Sequence, residues 1–228
     1  RIYGTAYVPQ VTNTLGILPT RNWQTGTFEG VDTIDGPTLT ENYLIKPKPC
    51  YRCPIACGRL TEVPDGPYKG KGEGPEYETI SSFGSGCGVD DLAAVTKANY
   101  WCNELGLDTI STGMTIAAAM EMYEKGYIPE DDIGQPLRFG DKDAMIEMVQ
   151  KMAYRDGFGD ALAEGSYRLA DKYGHPEIAV TTRKQEFPGY DPRGSQGMGL
   201  LYATSNKGAS HMEGDVAYEE VFGTPVKE

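Results

Sequence analysis

Apolar residues recur at three- and four-residue steps in the middle of the chain, which is the period of an α-helix with one buried face. The first such run begins after the acidic pair Asp90 and Asp91 and stops at Gly106. Acidic residues stabilise helix N-termini and glycine is favoured just beyond C-termini, so the pattern predicts a helix between them. Its apolar face comprises Leu92, Val95, Ala98, Cys102 and Leu105.

The same pattern predicts three more helices further along the chain. One begins near positions 111–112 and stops at Gly126, and the next is capped by Asp141. The last has Asp160 as its predicted N-cap and ends at Gly174.

The rest of the chain is rich in glycine and proline, which interrupt helices and strands. Residues 1–49 turn at short intervals, and a glycine-rich stretch follows between Gly66 and Gly88. After the helices, strand pattern is slight and lies around residues 178–182. We therefore predict a mainly α fold, in which a multi-helical domain carries long Gly/Pro-rich loops and few short strands.

The most informative loop motif is a group of three cysteines, Cys50, Cys53 and Cys57, in the spacing C-x2-C-x3-C. If two of these thiols paired, one would be left over, but together they can bind one polynuclear iron–sulfur centre. The alternatives are a structural zinc site, which usually brings a second tight Cys or His pair, and buried thiols without a ligand. Because the two histidines of the chain, His175 and His211, lie far apart in sequence, we favour the iron–sulfur centre.

Composition restricts the classes of partner. The net charge of −12 disfavours nucleic acid and anionic membrane surfaces. No apolar stretch is long enough to span a bilayer, no secretory signal is recognisable, and five cysteines without a disulfide framework suit a reducing cytoplasm. The sequence starts without a methionine and within a patterned segment, so we expect it to be a piece of a longer protein.

Basic residues lie around the cysteines. They either face water or attract a small acidic electron carrier; they are Lys46, Lys48, Arg52 and Arg59.

Three other loop segments carry polar side chains suited to a site. Glu76 and Glu78 lie among glycines, Asp108 lies between two predicted helices, and His211 follows a loop. A carboxylate near a metal can act as a base, and backbone N–H groups at a helix start can bind a ligand. Taken singly, these residues also fit ordinary surface acids, a helix cap and a structural histidine.

Taken in order, the segments resemble the aldehyde:ferredoxin oxidoreductase family over nearly the whole chain. The motifs are LPTRNW (18–23), CYRCPIACG (50–58), GPEYET (74–79), NELGLDTIS (103–111), YDPRG (190–194) and YATSNKGASH (202–211). The resemblance implies that residues 1–175 form a helical domain that binds a cluster and a pterin. It implies that residues 176–228 begin a second helical domain, and that the family's pterin-supporting β domain lies outside this sequence.

The resemblance also implies which residues bind the cofactors. The three motif cysteines would bind a [4Fe–4S] cluster, whose fourth ligand we expect beyond residue 228 and not at Cys87 or Cys102. Pterin contacts would come from Asn103, Leu107 and Asp108, where Asn103 replaces the aspartate that opens the family's motif.

The catalytic side chains that the resemblance implies are a glutamate, a histidine and a tyrosine. Glu76 or Glu78 would handle a proton, with Glu76 favoured, and His211 would hydrogen-bond the substrate oxygen. Tyr190 would face the substrate. Ser210, where many relatives carry cysteine, would tune the pocket.

The implied reaction is oxidation of an aldehyde to a carboxylic acid at tungsten, or molybdenum, held by two pyranopterins, with magnesium allowed between the pterin phosphates. Electrons would pass through the cluster to ferredoxin in an anaerobic cytoplasm. The whole enzyme could form a homo-oligomer, and this chain alone would be inactive. Three alternatives stay open at this point: a tungsten subunit that reduces an aromatic acyl-CoA ring, a non-catalytic iron–sulfur electron-transfer module, and a structural subunit with an empty site.

Overall fold

Helices dominate the computed structural model, which describes residues 2–214 and 216–223. In chain order they are α1 (Val8–Thr14), α2 (Gly36–Asn42), α3 (Tyr77–Thr79), α4 (Leu92–Leu105), α5 (Thr109–Glu124), α6 (Glu130–Ile133), α7 (Lys142–Tyr154), α8 (Phe158–Leu162), α9 (Ser166–Lys172), α10 (Gln196–Thr204) and α11 (Val216–Phe222). A π-helix, Ile80–Ser85, continues α3, and short 3₁₀ turns lie at Gly4–Tyr7, Val31–Thr33 and Pro176–Ile178. The prediction of a mainly α fold is confirmed.

Small antiparallel sheets complete the architecture. One contains β1 (Leu44–Lys48), β2 (Gly58–Val63) and β3 (Gly70–Glu73) in that order, and the other pairs β4 (Thr181–Thr182) with β5 (Gln185–Glu186). Lys48 pairs with Gly58, so the cysteine motif is the connecting loop of a β1–β2 hairpin. Sequence pattern missed β1 because its residues are largely exposed, so no alternation of apolar and polar positions marks it.

The predicted helix signals around α4, α5 and α7 are confirmed with small shifts. Asp91 accepts from the Ala94 N–H at 3.1 Å to cap α4, and Asp141 accepts from the Ala144 N–H at 3.0 Å to cap α7. The second helix starts earlier than predicted, since the Asp108 carboxylate accepts from the Ser111 N–H at 2.7 Å. That cap satisfies a backbone donor which the helix itself leaves unpaired.

The prediction of one helix from Asp160 to Gly174 is wrong. The segment is broken into α8 and α9, and Asp160 lies inside α8, paired with Arg155 at 2.8 Å. The break falls at Gly165, whose φ of +87° is incompatible with a continuous helix. Glu186 takes over the hydrogen bond from the Ser166 N–H at 2.9 Å. The slight strand signal that follows corresponds to β4, preceded by a 3₁₀ turn.

The core is built around α5, which is buried from Thr112 to Met122. Small residues let neighbours approach it closely: a Cβ on Gly113 would lie 2.6 Å from the Ser82 Cβ of the π-helix. Buried apolar residues on both sides of the predicted domain boundary, such as Met120 and Tyr202, belong to one cluster, and the boundary itself stays a prediction. Among the described residues, no helix has the length and hydropathy to cross a bilayer.

Replacing Asp141 tests the capping account. We expect Asp141→Ala to lower the free energy of unfolding by about 1 kcal/mol, because the first turn of α7 loses its side-chain acceptor. Asp141→Asn is the matched control, since it keeps an acceptor oxygen and should lose much less. Urea denaturation measures both, and equal losses in the two variants would contradict the cap.

Candidate functional site

The cysteine loop turns sharply between β1 and β2. The Cys53 N–H donates to the Cys50 carbonyl at 3.0 Å. Arg52 and Ala56, each directly before a motif cysteine, have positive φ values of 56° and 52°. Such left-handed residues redirect the chain, so the loop curls back at each cysteine. Cys50 is exposed, whereas Cys53 and Cys57 are half-buried, and all are free thiols.

The other two cysteines lie in the core. Cys87 and Cys102 are fully buried, and desolvation raises the pKa of both thiols. Neither lines the cavity behind the cysteine loop. Within the described residues, no three His, Cys, Asp or Glu side chains are arranged to hold a single metal ion. A polynuclear cluster holds its ligands further apart than one ion does, so cluster ligation by the motif stays a prediction.

A cavity of about 290 Å³ lies behind the cysteine loop and joins segments that are distant in sequence. Its lining includes Cys50 and Cys57 from the loop, Glu76 and Glu78 from the start of α3, and Asn103 from the end of α4. Tertiary structure thus brings together three of the segments that the motifs single out.

Glu78 is a half-buried acid, whose side chain is 18% exposed. Its Oε2 accepts from the Gly189 N–H at 2.8 Å, while Oε1 is buried without a hydrogen-bond partner among the described residues. Burial raises the pKa of Glu78 to about 7, against the lowering effect of the Gly189 N–H, and the nearby Asp108 charge adds to the rise. A carboxyl that titrates near neutral pH can both take up and release a proton.

His211 lies beside Glu78 although the two are far apart in sequence. Its Nε2 is 3.7 Å from Glu78 Oε1, and its ring centroid is 6.0 Å from that of Tyr190. Desolvation lowers the pKa of His211, so the imidazole is neutral at pH 7. His211 and Tyr190 line a second cavity, of about 440 Å³, which also touches Cys57. Cys57 lines both cavities, whereas Glu78 lines only the smaller one and His211 only the larger one.

Buried tyrosines fix the segment that ends in Tyr190. The Tyr77 hydroxyl donates to the Gly189 carbonyl, and the Tyr202 hydroxyl donates to the Pro188 carbonyl at 3.3 Å. A Cβ on Gly189 would lie 2.6 Å from Ser81 Oγ, so glycine permits the segment to approach the π-helix. These contacts place the Gly189 N–H against Glu78 and the Tyr190 ring beside His211.

The remaining predicted residues lie on the exposed side of the site. Asp108 is exposed and caps α5, and neither cavity lining includes it. Asn103 is exposed at the rim of the smaller cavity, and Leu107 packs partly against the core. Glu76 is exposed and accepts from the Thr5 hydroxyl at 3.2 Å.

The sequence analysis gives no role to two residues that organise this site. Tyr77 lies within the GPEYET motif and Gly189 directly precedes the YDPRG motif, and their hydrogen bonds hold the segment beside Glu78. The expectation that Arg59 faces water or attracts an electron carrier is wrong, because its side chain is buried beneath the cysteine loop. A buried arginine, or a glycine required by close packing, is recognisable only in the three-dimensional structure.

Several known proteins resemble this chain in sequence. A family profile described as aldehyde ferredoxin oxidoreductase, domains 2 and 3, matches residues 1–228. A tungsten-containing aldehyde ferredoxin oxidoreductase of Thermococcus kodakarensis is 49% identical over 227 residues, which is 99% of this chain and 37% of that protein. The protein of the same description from Pyrococcus furiosus is 47% identical over equal shares. The chain thus spans little more than a third of the length of these relatives.

A solved structure agrees at the level of the fold. The active-site complex BamBC of benzoyl coenzyme A reductase with 1,5-dienoyl-CoA superposes with a TM-score of 0.67, covering 87% of this chain and 30% of that one. The identity is 22%, so the likeness concerns the fold alone. The family profile, in contrast, matches the sequence from end to end, and the relatives are nearly half identical to it: this chain belongs to the aldehyde ferredoxin oxidoreductase family.

Proposed function

We propose that this chain forms the part of a tungsten-pterin oxidoreductase that supplies the cluster ligands and the acid–base groups for oxidising an aldehyde to a carboxylic acid. The observation that carries the proposal is the contact between the half-buried side chains of Glu78 and His211 beside the cysteine loop. The relatives at 49% and 47% identity are tungsten-containing aldehyde ferredoxin oxidoreductases, which supports this reaction class.

The side chains present suit the implied groups. Three free thiols in one tight loop, Cys50, Cys53 and Cys57, suit an iron–sulfur cluster. The Oε1 of Glu78, buried without a hydrogen-bond partner among the described residues, suits a bound group that completes its hydrogen bonding. When bound, the tungsten pterin would supply the two-electron oxidation, and the cluster would pass electrons singly to ferredoxin.

Aldehyde oxidation with an oxygen atom from water releases two electrons and two protons, so the protein must supply a proton acceptor. We assign that role to Glu78 rather than to Glu76, which sequence pattern favoured. Glu78 is half-buried, desolvation raises its pKa to about 7, and it contacts the histidine. Glu76 is exposed to solvent and does not contact the histidine.

His211 would orient the substrate oxygen. Its lowered pKa keeps the ring neutral, so one nitrogen can donate a hydrogen bond while the other accepts. Burial and the charge of Glu78 raise the pKa of Tyr190, which keeps its hydroxyl protonated as a further donor. The larger cavity that these groups line also carries apolar side chains, among them Val8, Ile55 and Met212.

Electrons would leave the proposed cluster on the exposed side of the cysteine loop. Cys50 is exposed there and Arg52 lies on the same turn, which suits an acidic carrier such as ferredoxin. Cytoplasmic location, a magnesium ion between pterin phosphates, a homo-oligomer and pterin contacts from Asn103, Leu107 and Asp108 remain part of the proposal. The fold likeness to the benzoyl coenzyme A reductase complex, at 22% identity, does not by itself favour ring reduction.

Replacing Glu78 separates the two glutamates. In the full-length enzyme, Glu78→Gln should lower kcat by roughly 10²–10⁴, because the amide cannot accept a proton. Glu76→Gln is the matched control and should change kcat less than about threefold. In the unmodified enzyme, kcat/KM should fall as the pH drops through about 7, where Glu78 becomes protonated. A Glu76→Gln variant that is the more damaged of the two would contradict the assignment.

Removing the histidine tests substrate orientation. We expect His211→Ala to reduce turnover by roughly 10²–10⁴ while iron and pterin contents stay at the level of the unmodified enzyme. Steady-state kinetics with metal and pterin analysis measure both. Full turnover in this variant, or loss of the cofactors together with activity, would show that the histidine is structural instead.

The 228-residue chain by itself should not oxidise aldehydes. It spans 37% of the length of its relatives, and a site held by part of its supporting shell is not preorganised. The measurement is aldehyde-dependent reduction of a viologen dye under anaerobic conditions. The full-length enzyme serves as the positive control, and dye reduction by the isolated chain would overturn the expectation.

A further inference from the structure

A buried arginine lies directly beneath the cysteine loop. Arg59 is the second residue of β2, and its exposed fraction is 2%. Arginine is rarely buried so completely, and burial of its charge is unfavourable unless hydrogen bonds compensate it. Its position is therefore maintained by specific contacts.

Those contacts hold the backbone on both sides of Cys57. Arg59 Nη1 donates to the Ala56 carbonyl at 2.7 Å and to the Gly58 carbonyl at 2.9 Å. Nη2 donates to the Ile2 carbonyl at 3.1 Å, which ties the loop to the start of the described chain. Ala56 has a left-handed backbone with a φ of 52°, so a conformation that is rare for alanine is stabilised here by the guanidinium.

The fit around the guanidinium is close. Gly4 has a φ of +61°, and a Cβ there would lie 2.9 Å from Arg59 Cζ and would collide with the Cys57 carbonyl oxygen. Arg59, Cys50 and Cys57 line the same cavity of about 290 Å³. A guanidinium stays charged at neutral pH.

We propose that Arg59 is a positioning residue for the iron–sulfur cluster: its guanidinium fixes the backbone around Cys57, and its buried positive charge stabilises the reduced cluster. The inference rests on the proposed cluster at the cysteine loop. Reduction adds a negative charge to the cluster, and a cation in low dielectric favours that state more than a cation in water does. Replacing a residue that orients metal ligands in this way commonly lowers metal affinity by about 10- to 100-fold.

Three variants of the full-length holoenzyme separate geometry from charge. Arg59→Lys keeps the charge but lacks the planar fork that reaches several carbonyls, so it should release iron to a chelator about tenfold faster with its midpoint potential unchanged. Arg59→Met should also release iron faster, and its reduction equilibrium should shift about tenfold toward the oxidised cluster, which is 59 mV for one electron. Lys46→Met removes an exposed charge on the neighbouring strand β1, and it should change neither quantity, because water screens that charge.

Iron-release kinetics and a redox titration followed by electron paramagnetic resonance decide the matter without measuring turnover. Release of iron from Arg59→Lys at the wild-type rate would overturn the positioning role, and a wild-type potential in Arg59→Met would overturn the electrostatic role. If Arg59→Met does not accumulate as folded protein, iron release from Arg59→Lys decides alone. A wild-type enzyme without iron would overturn the proposed cluster and this role with it, whereas a loaded wild-type enzyme with unaffected variants overturns only the role of Arg59.

Discussion

The close approach of Gly189 to the segment that carries Glu78 joins the two parts of the chain that form the candidate site. The Gly189 N–H donates to the Glu78 carboxylate at 2.8 Å, across more than a hundred residues of sequence. The bond requires glycine, since any side chain at this position would meet Ser81 of the π-helix. Because Tyr190 follows directly and His211 contacts Glu78, the relative placement of all the candidate catalytic groups depends on this one approach.

The same approach exerts two opposing effects on the pKa of Glu78. The backbone donor favours the charged carboxylate, but desolvation outweighs it and raises the pKa to about 7. A raised carboxyl pKa means that the folded chain binds the proton more tightly than the unfolded chain does. The resulting contribution to stability is full below the unfolded pKa near 4.5 and is lost as the pH rises through about 7. Retention of such a group is expected where protonation serves function.

The conformation of the cysteine loop depends on backbone contacts rather than on a buried acid. A β-hairpin fixes its two ends, and the Arg59 guanidinium holds the carbonyls within it. The chain as a whole is strongly acidic, and three glutamates line the cavity behind the loop, so Arg59 is a buried cation in an acidic region. The neighbouring helix α4 adds Asn103 at the rim of the same cavity, and Asp108 then starts α5. A single residue there serves as helix cap and as part of the turn that the family motif describes.

Features that depend on short-range chemistry could be predicted from the sequence alone. Helix α7 and its Asp141 cap, the stop of α4 at Gly106 and the compact cysteine motif are all readable from residues a few positions apart. The other features depend on contacts between segments that are distant in the sequence. The break at Gly165 depends on Glu186 from a later strand, and β1 depends on pairing with β2. Our proposal of Glu78 over Glu76 depends on which carboxylate is less exposed in the folded chain. In each case the deciding energy is desolvation or a hydrogen bond between distant segments, and neither leaves a periodic trace in the sequence.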